Sequence, residues 1–201
     1  MTRSKGPYLQ PLRREDCPAL EPTWAALEEF LGFVPNAELI MARMPRSTAI
    51  LVDAVRIFFS TASLPTELLS LVGMLSSSTA GCDYCASHNL SKAYDDGDSM
   101  QKMAVVWEFE THPLFSDAER AALAFTVKAS SSPNAVTKAD VDLLLTHYTE
   151  TEVTEITAVV SMFGIFNRFN DSVAVTLEST PLTLAKKYLD SDRWQVGVHA
   201  K

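Results

Sequence analysis

Apolar residues recur at intervals of three and four along almost the whole chain, and no stretch alternates strictly between apolar and polar residues. This periodicity predicts an all-α protein, built as a helical bundle. The 201 residues are enough for one helical folding unit with a substantial core. A helix followed by a serine triplet is predicted twice, at residues 68–78 and 122–132, a pattern typical of an internal duplication.

Capping and breaking residues predict where the helices begin and end. Thr23 is predicted to cap a first helix that ends near Gly32, and Asn36 a second helix that Pro45 stops. The remaining helices are predicted at residues 47–61, from 67 into the serine cluster at 76–78, 82–94, 99–110, 118–129, 137–148 and 151–175. Residues 95–98 are predicted to form an exposed turn.

The composition is that of an ordinary globular protein, with 47% hydrophobic and 21% charged residues. The net charge of −8 opposes binding to phosphate backbones, so we expect no nucleic-acid partner. Residues 1–16 lack the apolar segment of a secretory signal. The most apolar run, at residues 49–59, is interrupted by Asp53 and Arg56 and is too short to cross a bilayer. We therefore expect no membrane partner and a cytoplasmic location.

Two of the three cysteines form a C-x-x-C pair, Cys82 and Cys85, and the third is Cys17. An odd number of cysteines argues against a structural disulfide framework. The pair spacing places two sulfurs about one helical turn apart, close enough to bridge if Cys82 begins a helix. The helix start would then stabilise a Cys82 thiolate, while His88 lies on the side of Cys85 and could take its proton. The motif predicts reversible thiol–disulfide chemistry.

The sequence gives less support to other roles of the cysteine pair. A structural zinc site would need further ligands, and the chain has no second C-x-x-C pair. Covalent haem attachment requires histidine directly after the second cysteine, where Ala86 stands. Two ordinary buried cysteines stay an alternative. Nucleotide-binding glycine motifs are missing, so we predict no cofactor and no metal, with electrons arriving by thiol exchange.

Four segments together resemble the carboxymuconolactone decarboxylase superfamily, and within it the alkyl hydroperoxidase D-like branch. They are residues 78–88 around the cysteine pair, 107–110, 115–123 and 166–169. The resemblance covers roughly residues 35–180, which we take as the main domain, after an N-terminal extension with a short helix at 1–34 and before a C-terminal helix and tail at 181–201. It implies a helical bundle of the alkyl hydroperoxidase D type and a homo-oligomer, either a trimer, a hexamer or a dimer.

The resemblance also implies roles for the site residues. Cys85 would attack a peroxide and Cys82 would resolve the product, whereas the helix-start argument favours Cys82 as the more acidic sulfur. The family histidine stands four residues after the second cysteine, where this chain has Asn89, with His88 one place earlier. The family glutamate stands twelve residues before the first cysteine, at Ser70 here. Glu67 is a candidate substitute, or else an ordinary acidic residue in the first turn of a helix.

These observations predict a thiol–disulfide oxidoreductase, a peroxidase that reduces alkyl hydroperoxides through a reversible Cys82–Cys85 disulfide. Its catalytic residues would be Cys82, Cys85, His88 and Glu67, and a protein or small-molecule dithiol would reduce it again. One alternative is a lactone decarboxylase, although the decarboxylases of the family generally lack the cysteine pair. Another is a redox-sensing oligomeric protein without catalytic activity.

Overall fold

The computed structural model describes residues 4–97 and 99–201, and over these residues it contains ten α-helices and no β-strand. The helices are α1 Glu21–Leu31, α2 Asn36–Met41, α3 Pro45–Thr61, α4 Thr66–Thr79, α5 Asp83–Asp96, α6 Met100–Ala104, α7 Asp117–Ser130, α8 Lys138–Leu144, α9 Glu150–Ser172 and α10 Ser179–Tyr188. The predicted all-α class is confirmed. Residues 1–3 of the predicted extension and Asp98 of the predicted turn lie outside the described residues.

Helix α4 is the central helix, and every residue from 68 to 77 is buried. It packs against α5, α7 and α9. A helix that is apolar or small on all sides is stable only inside a core, and the leucines and serines of α4 fit that environment. Gly81, at φ +75°, then allows the turn that starts α5 beside α4.

Side chains from α5 and α9 approach α4 closely at Gly73. An alanine Cβ there would lie 2.6 Å from a ring carbon of Phe163 and would also collide with Oδ1 of Asn89. We expect Gly73→Ala to destabilise the protein by about 1–3 kcal/mol, because a packed core resists an added methyl group. Gly164→Ala is the matched control. Apart from its chain neighbours and the backbone of its own helix, no described atom lies within 4 Å of its Cβ position, so the substitution should stabilise helix α9 by about 0.5–1 kcal/mol. Urea unfolding followed by circular dichroism measures both changes, and equal stability of the two variants would contradict this packing.

A second, smaller core lies between α1 and α3. It contains Leu20, Trp24 and Leu27 from the N-terminal side, together with Ala42 and Val52. Trp24 is completely buried. This core therefore joins residues from both sides of position 34, where the sequence suggested a domain boundary.

The C-terminal segment packs onto α5, the helix that carries the cysteine pair. Helix α10 lies against α5, and Nε1 of Trp194 donates a hydrogen bond to the backbone oxygen of Asp83 at 3.1 Å. The buried ring of His199 lies 5.6 Å from that of Tyr84. The first turn of α5 is thus held from outside by the last residues of the chain.

Several predicted helix limits are confirmed and others are wrong. Helix α1 ends before Gly32 and α3 ends at Thr61, as predicted. Thr23 lies inside α1, and Asn36 is the first residue of α2 and not its cap.

The predicted helix at 99–110 stops at Ala104, because a 3₁₀ turn at Val106–Glu108 brings Val106 and Phe109 into the core. The helix predicted at 137–148 ends at Leu144. No helix in the described part of the chain is long and apolar enough to cross a membrane.

Candidate active site

The two cysteines of the pair lie at the start of α5, where Cys82 is the N-cap residue. Sγ of Cys82 accepts the backbone N–H of Cys85 at 3.4 Å, and the two sulfurs are 3.0 Å apart. Both are free thiols and both are buried. A disulfide needs its sulfurs about 2.05 Å apart, so a shift of about 1 Å would join them.

Cys85 is held by two asparagine side chains. Asn170 of α9 donates a hydrogen bond from Nδ2 to the Cys85 sulfur at 3.2 Å, and Asn89 donates to its backbone oxygen at 2.9 Å. Burial raises the pKa of the Cys85 thiol well above its usual range, and the neighbouring Cys82 raises it further, while the Asn170 amide acts in the opposite direction. Cys85 is therefore protonated at neutral pH and must lose its proton to react.

A cavity of about 100 Å³ lies next to Cys85, enclosed by α1, α2, α3, α5 and α9. Most of its wall is apolar or aromatic, from Leu27, Phe30, Leu31, Pro35, Val52, Val55, Phe59, Phe163 and Phe166. Cys85 forms part of the wall, whereas Cys82 does not and is fully buried behind it. A molecule that enters the cavity therefore meets the Cys85 sulfur first.

Glu178, the residue before α10, binds two polar residues of the cavity wall, His88 and Tyr84. Its Oε2 lies 2.8 Å from Nε2 of His88, and its Oε1 accepts hydrogen bonds from the Tyr84 hydroxyl at 2.9 Å and the Asn36 N–H at 2.5 Å. Burial raises the pKa of Glu178, but the charge and hydrogen bond of His88 and the Asn36 N–H lower it more, so the net pKa lies below the ordinary value. Glu178 is thus ionised at neutral pH.

His88 is fixed by this arrangement. Its ring stacks on that of Tyr84, with centroids 4.4 Å apart and planes at 28°. His88 and Cys85 line the same cavity, but Nε2 of the imidazole points to Glu178. The sequence placed His88 as the activating neighbour of Cys85, and the structure gives that imidazole nitrogen a carboxylate partner.

A second carboxyl group, that of Glu38 on α2, belongs to the cavity wall itself. Its Oε2 is inaccessible to solvent and has no hydrogen-bond partner among the described residues. Burial raises the pKa of Glu38 to about 7, the nearby Glu178 raises it as well, and the charge of His88 opposes them. Glu38 is therefore a mixture of acid and carboxylate near neutral pH, the range in which a side chain both gives and takes protons efficiently.

The structure does not bring Glu67 to the cysteines, and this corrects the predicted role. Glu67 lies in the first turn of α4, where its Oε2 is 3.0 Å from Nζ of Lys102 and its Oε1 accepts the Ser99 N–H at 3.1 Å. Ser70, at the position of the family glutamate, is buried in α4. The reading of Glu67 as an acidic residue of a helix start agrees with this position.

Sequence reasoning missed both carboxyl groups of the site. Glu38 is a lone acidic residue in a short apolar helix, and that was the one available signal. Glu178 precedes a helix far along the chain and gave none. Over the described ranges, 4–97 and 99–201, no group of three His, Cys, Asp or Glu side chains is arranged to hold a metal ion.

Comparisons with known proteins agree on the fold. A variant of the debrominase Bmp8 in complex with 2,3,4-tribromopyrrole is 33% identical, with a TM-score of 0.85 over 92% of this chain and all of that chain. An uncharacterized peroxidase-related protein from Silicibacter sp. TM1040 is 20% identical, with a TM-score of 0.71 over 89% of this chain and 96% of its own.

A third solved structure, an uncharacterized peroxidase-related protein with an alkylhydroperoxidase AhpD core from Ralstonia eutropha JMP134, is 18% identical. Its TM-score is 0.68, over 81% of this chain and 87% of its own. No protein-family model and no curated protein sequence matches the chain. The debrominase is similar over its whole length and shares the helical fold of the peroxidase-related proteins. The chain therefore belongs to the carboxymuconolactone decarboxylase superfamily.

Proposed function

We propose that this protein is a thiol–disulfide oxidoreductase in which Cys82 and Cys85 together deliver two electrons to a small apolar electrophile. One observation carries the proposal: two free sulfurs lie 3.0 Å apart, and only Cys85 faces an apolar cavity. Cys85 is then the sulfur that reacts with the substrate, and Cys82 is the sulfur that closes the disulfide. A dithiol, either protein or small molecule, would restore the reduced pair.

The substrate class that best fits the cavity is a halogenated aromatic ring. Four phenylalanines, Phe30, Phe59, Phe163 and Phe166, contribute to a wall around about 100 Å³. An engineered cavity of about 150 Å³ in another protein binds benzene, so this space suits a single small ring. The 33% identity to a debrominase over the full length of that protein supports the same class.

Replacement of a ring halogen by hydrogen consumes two electrons and one proton. On an electron-rich ring, the Cys85 thiolate attacks the halogen: the sulfur–halogen bond forms, the carbon–halogen bond breaks, and the ring carbon takes a proton. Cys82 then attacks the Cys85 sulfur, the S–S bond forms and halide leaves. Overall, one halogenated ring and two thiols give the dehalogenated ring, one disulfide, one halide ion and one proton.

Reduction of an alkyl hydroperoxide is the second candidate, because it uses the same pair of sulfurs. The Cys85 thiolate takes the terminal oxygen of the peroxide, the O–O bond breaks, and an alcohol leaves after it gains a proton. Cys82 then displaces water from the Cys85 sulfenic acid and closes the disulfide. The fold shared with peroxidase-related proteins supports this candidate.

A thiol titration tests the proposal and separates the two substrates. We would reduce a Cys17→Ser variant, in which only the pair remains, and add brominated pyrroles carrying two to four bromines, unsubstituted pyrrole, or cumene hydroperoxide. We expect two thiols to disappear per chain, with one bromide released for each pair of thiols when a bromopyrrole is the substrate. Thiol loss with the hydroperoxide alone would favour a peroxidase, and no loss with any compound would contradict the proposed function.

A further inference from the structure

The reaction as proposed needs a proton at the substrate, and the cysteines do not provide it in the right place. Both sulfurs lie on α5 on one side of the cavity, and each ends the reaction bonded to the other. Among the described residues that line the cavity, Glu38 on α2 carries a carboxyl group that the thiol chemistry leaves unused, and its Oε2 is buried.

Three observations single out Glu38. Its side chain comes from a different helix from the one that carries Cys85, so the two groups approach the cavity from separate elements. Its Oε2 is shielded from solvent and finds no hydrogen-bond partner in the described ranges of the chain, which is costly for a polar atom unless a ligand or a proton occupies the position. The surrounding wall is apolar, so little else in the cavity could bind that oxygen.

Three other polar groups on or next to the cavity are less suited to donate a proton. Glu178 accepts three hydrogen bonds and is held ionised by His88. The hydroxyl of Tyr84 already donates to Glu178, and burial raises its pKa well above the usual range. Lys92, which lines the cavity, forms an ion pair with Asp96.

We propose that Glu38 is a catalytic residue, the general acid that donates its proton to the substrate atom whose bond to halogen or oxygen breaks. This proposal rests on the proposed function. In the first step, Cys85 loses its proton to solvent and bonds to the halogen or terminal oxygen, while the proton of Glu38 moves to the ring carbon or alkoxide. In the second step, Cys82 closes the disulfide and its proton returns Glu38 to the acid form. Halide leaves without a proton, whereas the hydroxide displaced in the peroxide reaction takes up the proton that Cys85 released to solvent, so the overall balance is unchanged.

The pH dependence gives a signature that a merely structural role would not produce. With Cys85 mainly protonated, the rate of any attack by its thiolate rises with pH. A step that also needs the acid form of Glu38 should stop rising near pH 7, where that carboxyl ionises. Alkylation of Cys85 by iodoacetamide needs no acid, because iodide leaves without a proton, and its rate should continue to rise through pH 7.

The experiment compares Glu38→Gln with Glu178→Gln, both in the Cys17→Ser background. Single-turnover reduction of the brominated pyrroles and of cumene hydroperoxide is followed from pH 5 to pH 9. For Glu38→Gln we expect a rate about 100-fold lower at pH 6 and no change of slope near pH 7. For Glu178→Gln we expect the change of slope to persist. Iodoacetamide alkylation of Cys85, measured by mass spectrometry with Cys82 also replaced by serine, should stay within threefold in Glu38→Gln.

Each outcome decides the assignment. A loss of reduction in Glu38→Gln without a loss of alkylation supports it. Equal losses in both reactions would show that the substitution disturbs Cys85 or the cavity and would overturn it, as would an unchanged reduction rate. If the protein that retains Glu38 reduces none of the compounds, the proposed function itself fails, and the role of Glu38 falls with it.

Discussion

Replacing Cys85 by serine is expected to abolish the reduction of both substrate classes, with a loss of at least about 10³-fold. The reason is positional as well as chemical, since Cys85 is the sulfur that forms part of the cavity wall and a serine hydroxyl does not form a comparable nucleophile at neutral pH. Replacing Cys82 by serine should instead leave one reaction per chain intact. After a hydroperoxide, Cys85 would then remain as a sulfenic acid. After a bromopyrrole, it would carry bromine on its sulfur, and hydrolysis of this sulfur–bromine bond would give the same sulfenic acid.

Both serine variants should keep the fold. Cys82 is the N-cap of α5 and its sulfur accepts the Cys85 N–H, a position where serine is among the preferred residues. At position 85 a serine oxygen would lie near Nδ2 of Asn170, which now donates to the sulfur, so the buried amide keeps an acceptor. Circular dichroism and the unfolding midpoint provide the control for folding.

Mass spectrometry of the protein after one equivalent of substrate distinguishes the two variants. In the Cys17→Ser background, Cys82→Ser should gain the mass of one oxygen after cumene hydroperoxide, and Cys85→Ser should stay unchanged. The reverse result would assign the attack to Cys82, as the helix-start argument from the sequence favoured. Oxidation of both variants to the same extent would show that either sulfur can attack the substrate.

Much of the fold could be predicted from the sequence because helix formation and helix capping are local. The spacing of apolar residues predicted an all-α protein, and the end of the first helix near Gly32 was predicted because a glycine that follows a helix readily takes the left-handed conformation found there. The prediction of a helix at 99–110 was wrong at its C-terminal end, because tertiary packing and not local sequence decides where this helix stops. Val106 and Phe109 reach the core only if the helix ends at Ala104 and the chain tightens into a 3₁₀ turn.

In the candidate site, too, the sequence predicted only those residues that lie close together along the chain. Cys82, Cys85 and His88 were predicted because they lie within two turns of one helix, where spacing alone places the side chains. Glu38 and Glu178 come from elements far from α5 in the sequence, and no local pattern connects them to it. For Glu67 the local sequence pattern was misleading. This residue lies about one helical turn before the position of the family glutamate, but its side chain binds Lys102 and not the cysteines.

The stability of the protein is expected to fall by about 3 kcal/mol between pH 4 and pH 8 through Glu38 alone. In the unfolded chain this carboxyl ionises around its ordinary pKa of 4.5, whereas in the folded protein burial holds the pKa at about 7. Between these values the unfolded state has lost the proton and the folded state still binds it, so stability decreases as pH rises and levels off above pH 7. At about 1.4 kcal/mol per pH unit the difference amounts to about 3 kcal/mol.

Glu38→Gln isolates this contribution, because glutamine has nearly the same shape and does not ionise. The charged and titratable groups around Glu38 are the same in both proteins. Those of the cavity wall are Arg56, Tyr84, Cys85, His88 and Lys92, and Glu178 lies next to His88. Urea unfolding at pH 4, 5.5 and 8 should show similar stability of the two proteins at pH 4 and a growing advantage of Glu38→Gln at higher pH. Parallel pH profiles would mean that the Glu38 carboxyl titrates in the folded protein as it does in water. Glu38 would then be ionised at neutral pH and could not donate a proton to the substrate.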